Sequence, residues 1–254
     1  MRNPNRTDRF TGPPRGRVTR LGREPCHFLS YIWRVDLSES YKTVIPRAIL
    51  TRYEIRETRN AAAILQATNP HEFKEVLGVL GEFKLSRADI IEPGKNKSLV
   101  ARRLDDEFRG RGWREGSHDM TLHSVLTVRP HKAAGERKPT IVETEVISAG
   151  YKVDNVKGRV ALDVEWNAKD GNLDRDVGAY RALYDAGIID AGIIITREHE
   201  SIRNLARRLR RPRGFATTTT TTLEKLVPRI TRGDGGGCPL LAFAITDRCY
   251  SPRL

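Results

Sequence analysis

Apolar and polar positions along this chain follow two rhythms, and the change from one to the other divides it. In RNAAAILQATNP (59–70) and HEFKEVLGVLGEFKL (71–85) the apolar residues recur at helical intervals, with Phe73, Val76, Leu77 and Leu80 on one side and Asn69-Pro70 as a stop between two predicted helices. A third helix is predicted in PGKNKSLVARRLDDEFRGRGW, where Ser98 is the N-cap, Leu99, Val100, Leu104 and Phe108 share a face, and Gly110 ends the pattern. Four short strand-like runs follow: IVETEVI from 141, VALDVEW from 160, AGIIIT from 191 and PLLAFAI from 239. Between the second and third, GAYRALYDAG (178–187) has the pattern of a crossover helix. The predicted class is α/β, a mixed sheet flanked by helices.

Residues 1–25 show neither rhythm, and this Arg, Gly and Pro-rich stretch is expected to be a disordered basic arm. Residues 26–254 are expected to form one domain, helical over about 45–112 and carrying the sheet over about 140–254. Lys and Arg number 45 against 32 Asp and Glu, a net charge of +13, which favours a polyanionic partner such as nucleic acid. Eight arginines against Asp8 and Glu24 place +6 of that surplus within residues 1–34. Cys26, Cys238 and Cys249 form no CxxC pair, so neither a disulfide framework nor a thiolate zinc site is expected. Nothing approaches the roughly 18 apolar residues of a membrane helix, nor does a signal-peptide core follow the basic start, so a cytoplasmic protein is expected.

The chemistry concentrates in YKVDNVKGRVALDVEWNAKD (151–170). Val160, Leu162, Val164 and Trp166 alternate with Ala161, Asp163, Glu165 and Asn167, so Asp163 and Glu165 project from one strand face with Cα atoms about 6.5–7 Å apart. With Lys157-Gly158 as a two-residue turn, Asp154 would lie opposite Ala161 on that same face. Three converging acids repel one another unless a cation or a proton intervenes, and a hard divalent ion such as Mg²⁺ suits oxygen donors. The plainer alternative is a hairpin's solvent face, where acids are commonplace.

This window resembles the active-site segment of the BglII and BstYI group of type II restriction endonucleases, relatives of BamHI in the PD-(D/E)xK superfamily. The likeness runs through VKGRVALDVEWNAKDGNLDRDVGAYRALYDAGIIDAGIIITR and GGCPLLAFAI, and more weakly through RNAAAILQ, PGKNKSLVARRL and RGWRE. It implies a restriction-endonuclease-like fold, with Asp154 as the first metal-binding acid, Asp163 as the second, and Glu165 where the superfamily usually carries Lys. A competing frame makes Glu165 the second acid with Asn167 third, or enlists Lys169 as the missing cation. An additional acid is expected from the preceding helix, with Glu107 the candidate and Asp105 and Asp106 its rivals. Asp174 and Asp176 open the crossover helix, where acids suit the helix dipole, and are read as structural.

The resemblance further implies Mg²⁺-dependent in-line hydrolysis of double-stranded DNA at a short palindrome, with Mn²⁺ able to substitute and with 5′-phosphate and 3′-hydroxyl ends. A homodimer follows from the palindrome, with the 178–187 helix as an interface, and a cognate DNA methyltransferase acting on the same site is the expected companion. Asn167, Lys169 and Asn172 directly follow the acids and are candidates for base contacts. SIRNLARRLRRPR (201–213) holds six arginines and no acid, so Arg203 and Arg207, with Arg197 before them, are candidates for phosphate contacts. Thr217 and Thr219 of the threonine run and Arg232 complete the candidate DNA-binding set. Two rival functions remain: a DNA-binding protein without catalysis, and a repair or structure-selective nuclease on the same fold.

Overall fold

The computed structural model describes residues 37–92, 98–210 and 219–252. The basic arm expected at 1–25 and Thr217 lie outside them.

Six strands form one mixed sheet: β1 (Tyr53–Glu57), β2 (Arg114–Val128), β3 (Thr140–Lys157), β4 (Val160–Val164), β5 (Ala191–Arg197) and β6 (Leu240–Ile245), in the order β1-β6-β5-β4-β3-β2. The three central strands β4, β5 and β6 run parallel; β1 joins β6, β3 joins β4, and β2 joins β3 antiparallel. The helices are α1 (Tyr41–Val44), α2 (Arg47–Leu50), α3 (Ala61–Thr68), α4 (Pro70–Glu82), α5 (Arg87–Ile91), α6 (Leu99–Gly110), α7 (Gly171–Asp185), α8 (His199–Arg208) and α9 (Leu223–Arg232).

Alternation along the central strands sorts the core into two layers. Val160, Leu162 and Val164 of β4, with Ala191, Ile193 and Ile195 of β5, face Leu65, Phe73, Leu80, Leu104 and Phe108 of α3, α4 and α6 and Leu205 of α8. On the opposite face Ala161 and Ile194 meet Leu173, Val177 and Tyr180 of α7 and Leu226 of α9. All five residues of β4 and all seven of β5 are buried, as strands covered on both faces must be.

The predicted helices at 59–70, 71–85 and 98–110 appear as α3, α4 and α6, and Ser98 caps α6 by accepting from the Ala101 amide at 3.1 Å. Pro70 stops α3 and also opens α4 at its first turn, where its missing N–H costs nothing. The crossover helix begins earlier than its apolar pattern suggested, at Gly171. The N-terminal part is not purely helical, because YEIRE at 53–57 forms β1 at the sheet edge. The run at 141–147 lies within an 18-residue strand whose partner, the 15-residue β2, was not anticipated from sequence.

Candidate active site

The acids are placed by the antiparallel pair β3–β4. Lys157 pairs with Val160 and Asn155 with Leu162, so the two-residue loop is Gly158-Arg159, one position later than predicted. Continuing this register sets Asp154 across from Asp163 rather than Ala161. The pairing slips by two residues in total, so Asn155, Val156 and Lys157 keep their predicted faces. Asp154 gains a further displacement from β2: Arg114 pairs with Val156 and Gly116 with Val153, so Asp154 and Asn155 together oppose Glu115 in a bulge. The Asp154 amide donates to Asp163 Oδ1 at 2.8 Å.

Asp163 and Glu165 are 3% and 5% exposed, which removes the solvent-face alternative. Glu165 lies one residue past β4, yet its amide still donates to the Ile195 carbonyl at 2.8 Å. Its own carbonyl accepts from Thr196 Oγ1 at 3.0 Å and from Thr221 Oγ1 at 2.9 Å. Two distant threonines thus hold the backbone that aims this carboxylate, at the carboxyl ends of the parallel strands where α/β sheets bind ligands.

Helix α7 supplies what sequence reasoning missed. Asp176 is fully buried and hydrogen-bonds with Glu165, while Arg175 donates to Asp176 Oδ1 at 3.2 Å. The Tyr180 hydroxyl lies 2.6 Å from Asp163 Oδ2 and 2.8 Å from the Ile193 carbonyl, and its single proton is donated to one of them at a time. Gly192 makes room for this ring, since a Cβ there would stand 2.3 Å from Tyr180. A sequence signal existed: Asp176 lies between Leu173 and Tyr180 on the apolar stripe of α7, where a purely solvating acid does not belong. Asp176 thus does more than complement the helix dipole, since it supports Glu165, whereas Asp174 is clamped by Arg229 at 2.6 and 2.8 Å.

Crowding and burial favour the protonated carboxyls. Burial first, then the Asp176 charge, raises the Asp163 pKa well above the carboxylate range. Burial pushes Glu165 up to about 7, the neighbouring Asp163 adding to the rise and the Asp176 hydrogen bond opposing it. Burial, with the Glu165 charge, pushes Asp176 to about 8. Glu165 Oε2 and Asp176 Oδ2 are buried atoms without a hydrogen-bond partner. Such oxygens want a proton or a hard cation, so the donor set fits a divalent ion in chemical kind. Among the described residues, however, no three Asp, Glu, His or Cys side chains are gathered closely enough to hold one as they stand.

The helix expected to add an acid does not. Asp105 is buried against Asn155 at 2.8 Å, and Glu107 is exposed and paired with Arg111 at 2.6 Å. Helix α6 packs on the Leu162 face, opposite the face bearing Asp163, so the sheet separates Glu107 from the acids. Asp106 is likewise spent on Arg109 at 2.7 Å.

The candidate DNA contacts divide by placement. Arg197 is fully buried: its guanidinium sits 5.8 Å over the Trp166 ring, donates to Thr220 Oγ1 at 2.6 Å and also bonds Asn167 Oδ1. It holds Asn167, whose φ is +59°, and is not a surface contact. Lys169 bridges to Thr220, the Asp170 amide donates to the Thr219 carbonyl at 3.0 Å, and the Thr221 amide donates to Ala168 at 2.9 Å. Asn167, exposed Lys169, half-buried Asn172 and exposed Thr219 therefore form one stitched rim beside the acids. Arg203 and Arg207 are exposed on α8 near Glu200 and Asn204, and exposed Arg232 pairs with Asp234 at 2.6 Å.

The sequence model of the family described as restriction endonuclease BglII/BglIII matches residues 53–245, from the first residue of β1 to the last of β6. The chain belongs to this restriction endonuclease family. Membership makes it a type II site-specific deoxyribonuclease, a hydrolase that acts on DNA, and enzymes of this family generally need a divalent metal ion. The resemblance drawn from residues 151–197 and the mixed α/β architecture agree with it. No curated protein matches the chain. No helix among the described residues is long and apolar enough to cross a membrane.

Proposed function

We propose that this endonuclease acts as a homodimer on a short palindrome in double-stranded DNA, with Mg²⁺ as its ion, leaving 5′-phosphate and 3′-hydroxyl ends. The observation that carries this reading is the buried set of Asp163, Glu165 and Asp176, joined by half-buried Asp154 through its amide bond to Asp163, beside a stitched rim of polar side chains. Asp154 and Asp163 are the residues that would hold the ion. Such an ion supplies charge to a phosphodiester and acidity to water.

The side chains divide the remaining work. Glu165, with a pKa of about 7, is poised to take a proton from the attacking water at neutral pH. Asp176 and Tyr180 orient the two buried carboxylates. Arg175, whose charge acts on Asp163, Glu165 and Asp176, offsets their repulsion where the superfamily usually places a Lys. Asn167, Lys169, Asn172 and Thr219 read base edges, Arg197 positions Asn167, and Arg203, Arg207 and Arg232 meet phosphates. A methyltransferase marking the same palindrome would protect the host.

Asp163→Ala tests the assignment. The variant should lose at least ~10³-fold in Mg²⁺-dependent cleavage while binding the same duplex with little change. Digestion of a long unmethylated duplex by the parent protein should give discrete fragments whose sequenced ends define one palindrome. Retained cleavage by Asp163→Ala would refute the catalytic role, and a continuous smear from the parent would refute sequence specificity.

A further inference from the structure

Strand β3 pairs with β4 only from Asn155 to Lys157, and most of its length, with β2, forms a two-stranded ribbon that leaves the body of the sheet. The ribbon's foot is fixed. Glu75 of α4 accepts from Trp113 Nε1 at 2.8 Å, beside the start of β2, and from Lys157 Nζ at 2.7 Å, at the end of β3. Farther out a second irregularity separates foot from arm: His118 pairs with Tyr151 and Met120 with Ser148, and Gly150 takes φ +101° with its amide donating to Asp119 Oδ1 at 2.9 Å.

Beyond Gly150 the register runs from Met120↔Ser148 to Val128↔Thr140, and alternation sorts its side chains. One face carries Met120, Leu122, Leu126, Val128, Val142 and Val146, with Ser124, Thr140, Thr144 and Ser148 among them and not one charge. The other carries exposed Val125, Ile141 and Ile147 too, but its centre holds Glu143, Glu145 and His123, the last lying 3.6 Å from Glu143, so the uncharged face is the one suited to an apolar contact. Leu122 is 52% exposed and Leu126 60%, values that belong to unburied side chains. Together the six apolar residues expose on the order of 500 Å², a patch of the size that serves association when found on soluble proteins. A lone two-stranded ribbon is at best marginally stable in water, so a covered face also explains its length.

We propose that a second copy of this chain covers this face, ribbon against ribbon, about a two-fold axis passing by Ser124 and Thr144. The pattern is self-complementary. Leu122 and Val146 lie two residues to one side of the small central pair, Leu126 and Val142 two residues to the other, so rotation sets each large pair against the other. Two such faces approach the ~1,200 Å² at which specific interfaces begin. A DNA duplex is the poorer occupant, because an uncharged face releases no counterions, and the basic residues Arg129, Lys132, Arg137 and Lys138 gather beyond the apolar pairs. The helix at 178–187 does not compete for this role with its apolar face, since Ala179, Tyr180 and Leu183 are packed inside the chain. The inference rests on the proposed homodimer only for its symmetry.

Sedimentation of the full chain without DNA or metal tests the face apart from the chemistry. The parent should be a dimer, and Leu126→Glu combined with Val142→Glu should weaken self-association at least ~100-fold, with an unchanged circular dichroism spectrum. In a Cys26→Ser background, Ser124→Cys should form an inter-chain disulfide on mild oxidation, whereas Thr127→Cys on the other face should not. A monomeric parent, an unaffected double variant or cross-linking from both faces would overturn the proposal. So would a double variant that keeps the parent's oligomeric state but loses DNA affinity, which assigns the face to DNA. A monomer whose Ser124→Cys thiol resists labelling until residues 1–36 are deleted would assign it to this chain's own N-terminal segment, and would equally overturn it.

Discussion

The carboxyl ends of β4 and β5 and the outer half of the β2–β3 ribbon invert the usual distribution of side chains in opposite senses. At the first, acids are buried: Asp163, Glu165 and Asp176 are each no more than 5% exposed. At the second, Leu122, Leu126 and Val146 are more than half exposed. Burying repelling charges and exposing large apolar groups both cost free energy in an isolated chain. On the readings proposed above, each region awaits something added to it: positive charge at the acids, an apolar surface at the ribbon.

The sharpest way to break that contrast is to remove the acid that sequence reasoning missed. Asp176→Ala leaves Glu165 without its buried partner and should lower cleavage by about 10- to 100-fold, measured as kcat/KM on a single-site duplex. Unchanged activity would reduce Asp176 to helix packing. Asp176→Asn keeps a donor toward Glu165 without the charge. Carboxyls whose pKa rises on folding bind protons more tightly in the folded state, so their stabilising contribution is complete below their unfolded values near 4 and is lost as pH climbs through the folded values of about 7 for Glu165 and about 8 for Asp176. Metal-free parent protein should therefore melt on the order of 5 °C lower at pH 8 than at pH 5 through these groups. Asp176→Asn should flatten that slope, which thermal denaturation across the range measures.

A smaller effect is expected where charge is displayed normally. Replacing Arg203 and Arg207 together by Ala should weaken DNA binding several-fold and lower the log–log salt slope by about 2, read from titrations at several salt concentrations. The smallest concerns Glu107, which stands across the sheet from the acids and pairs with Arg111. Glu107→Ala should leave cleavage within about 2-fold of the parent, since an exposed pair of this kind contributes little. A larger loss would mean that α6 reaches the chemistry after all.

How much of this was legible depended on whether one segment's pattern carried the information. Helices α3, α4 and α6 and the run from β4 to β5 could be read because each has one strong period and its own stop signals. Strand β1 is short, and its five residues, three of them charged (Glu54, Arg56 and Glu57), look like solvated chain until β6 pairs with them. Strand β2 holds the apolar alternation of Met120, Leu122, Leu126 and Val128, interrupted at its centre by Ser124. At the site, Asp163 and Glu165 share a face by strand geometry alone. The bulge that displaces Asp154 depends on pairing with Glu115, and the support for Glu165 comes from Thr196 and Thr221, 31 and 56 residues away. No local period encodes such pairings. Arg197 looked like a phosphate contact because arginines follow it, yet its place at the end of a fully buried strand turns it inward onto Trp166 and Asn167.

The hydrogen bond joining Glu165 to Asp176 has a consequence for regulation by the medium. A proton held between these two carboxylates lowers the negative charge beside Asp154 and Asp163, the residues proposed to hold the ion, so proton and cation would oppose one another's binding. Acidification then works as a competitive inhibitor of metal loading, and raising the ion concentration should restore what a lower pH has taken away.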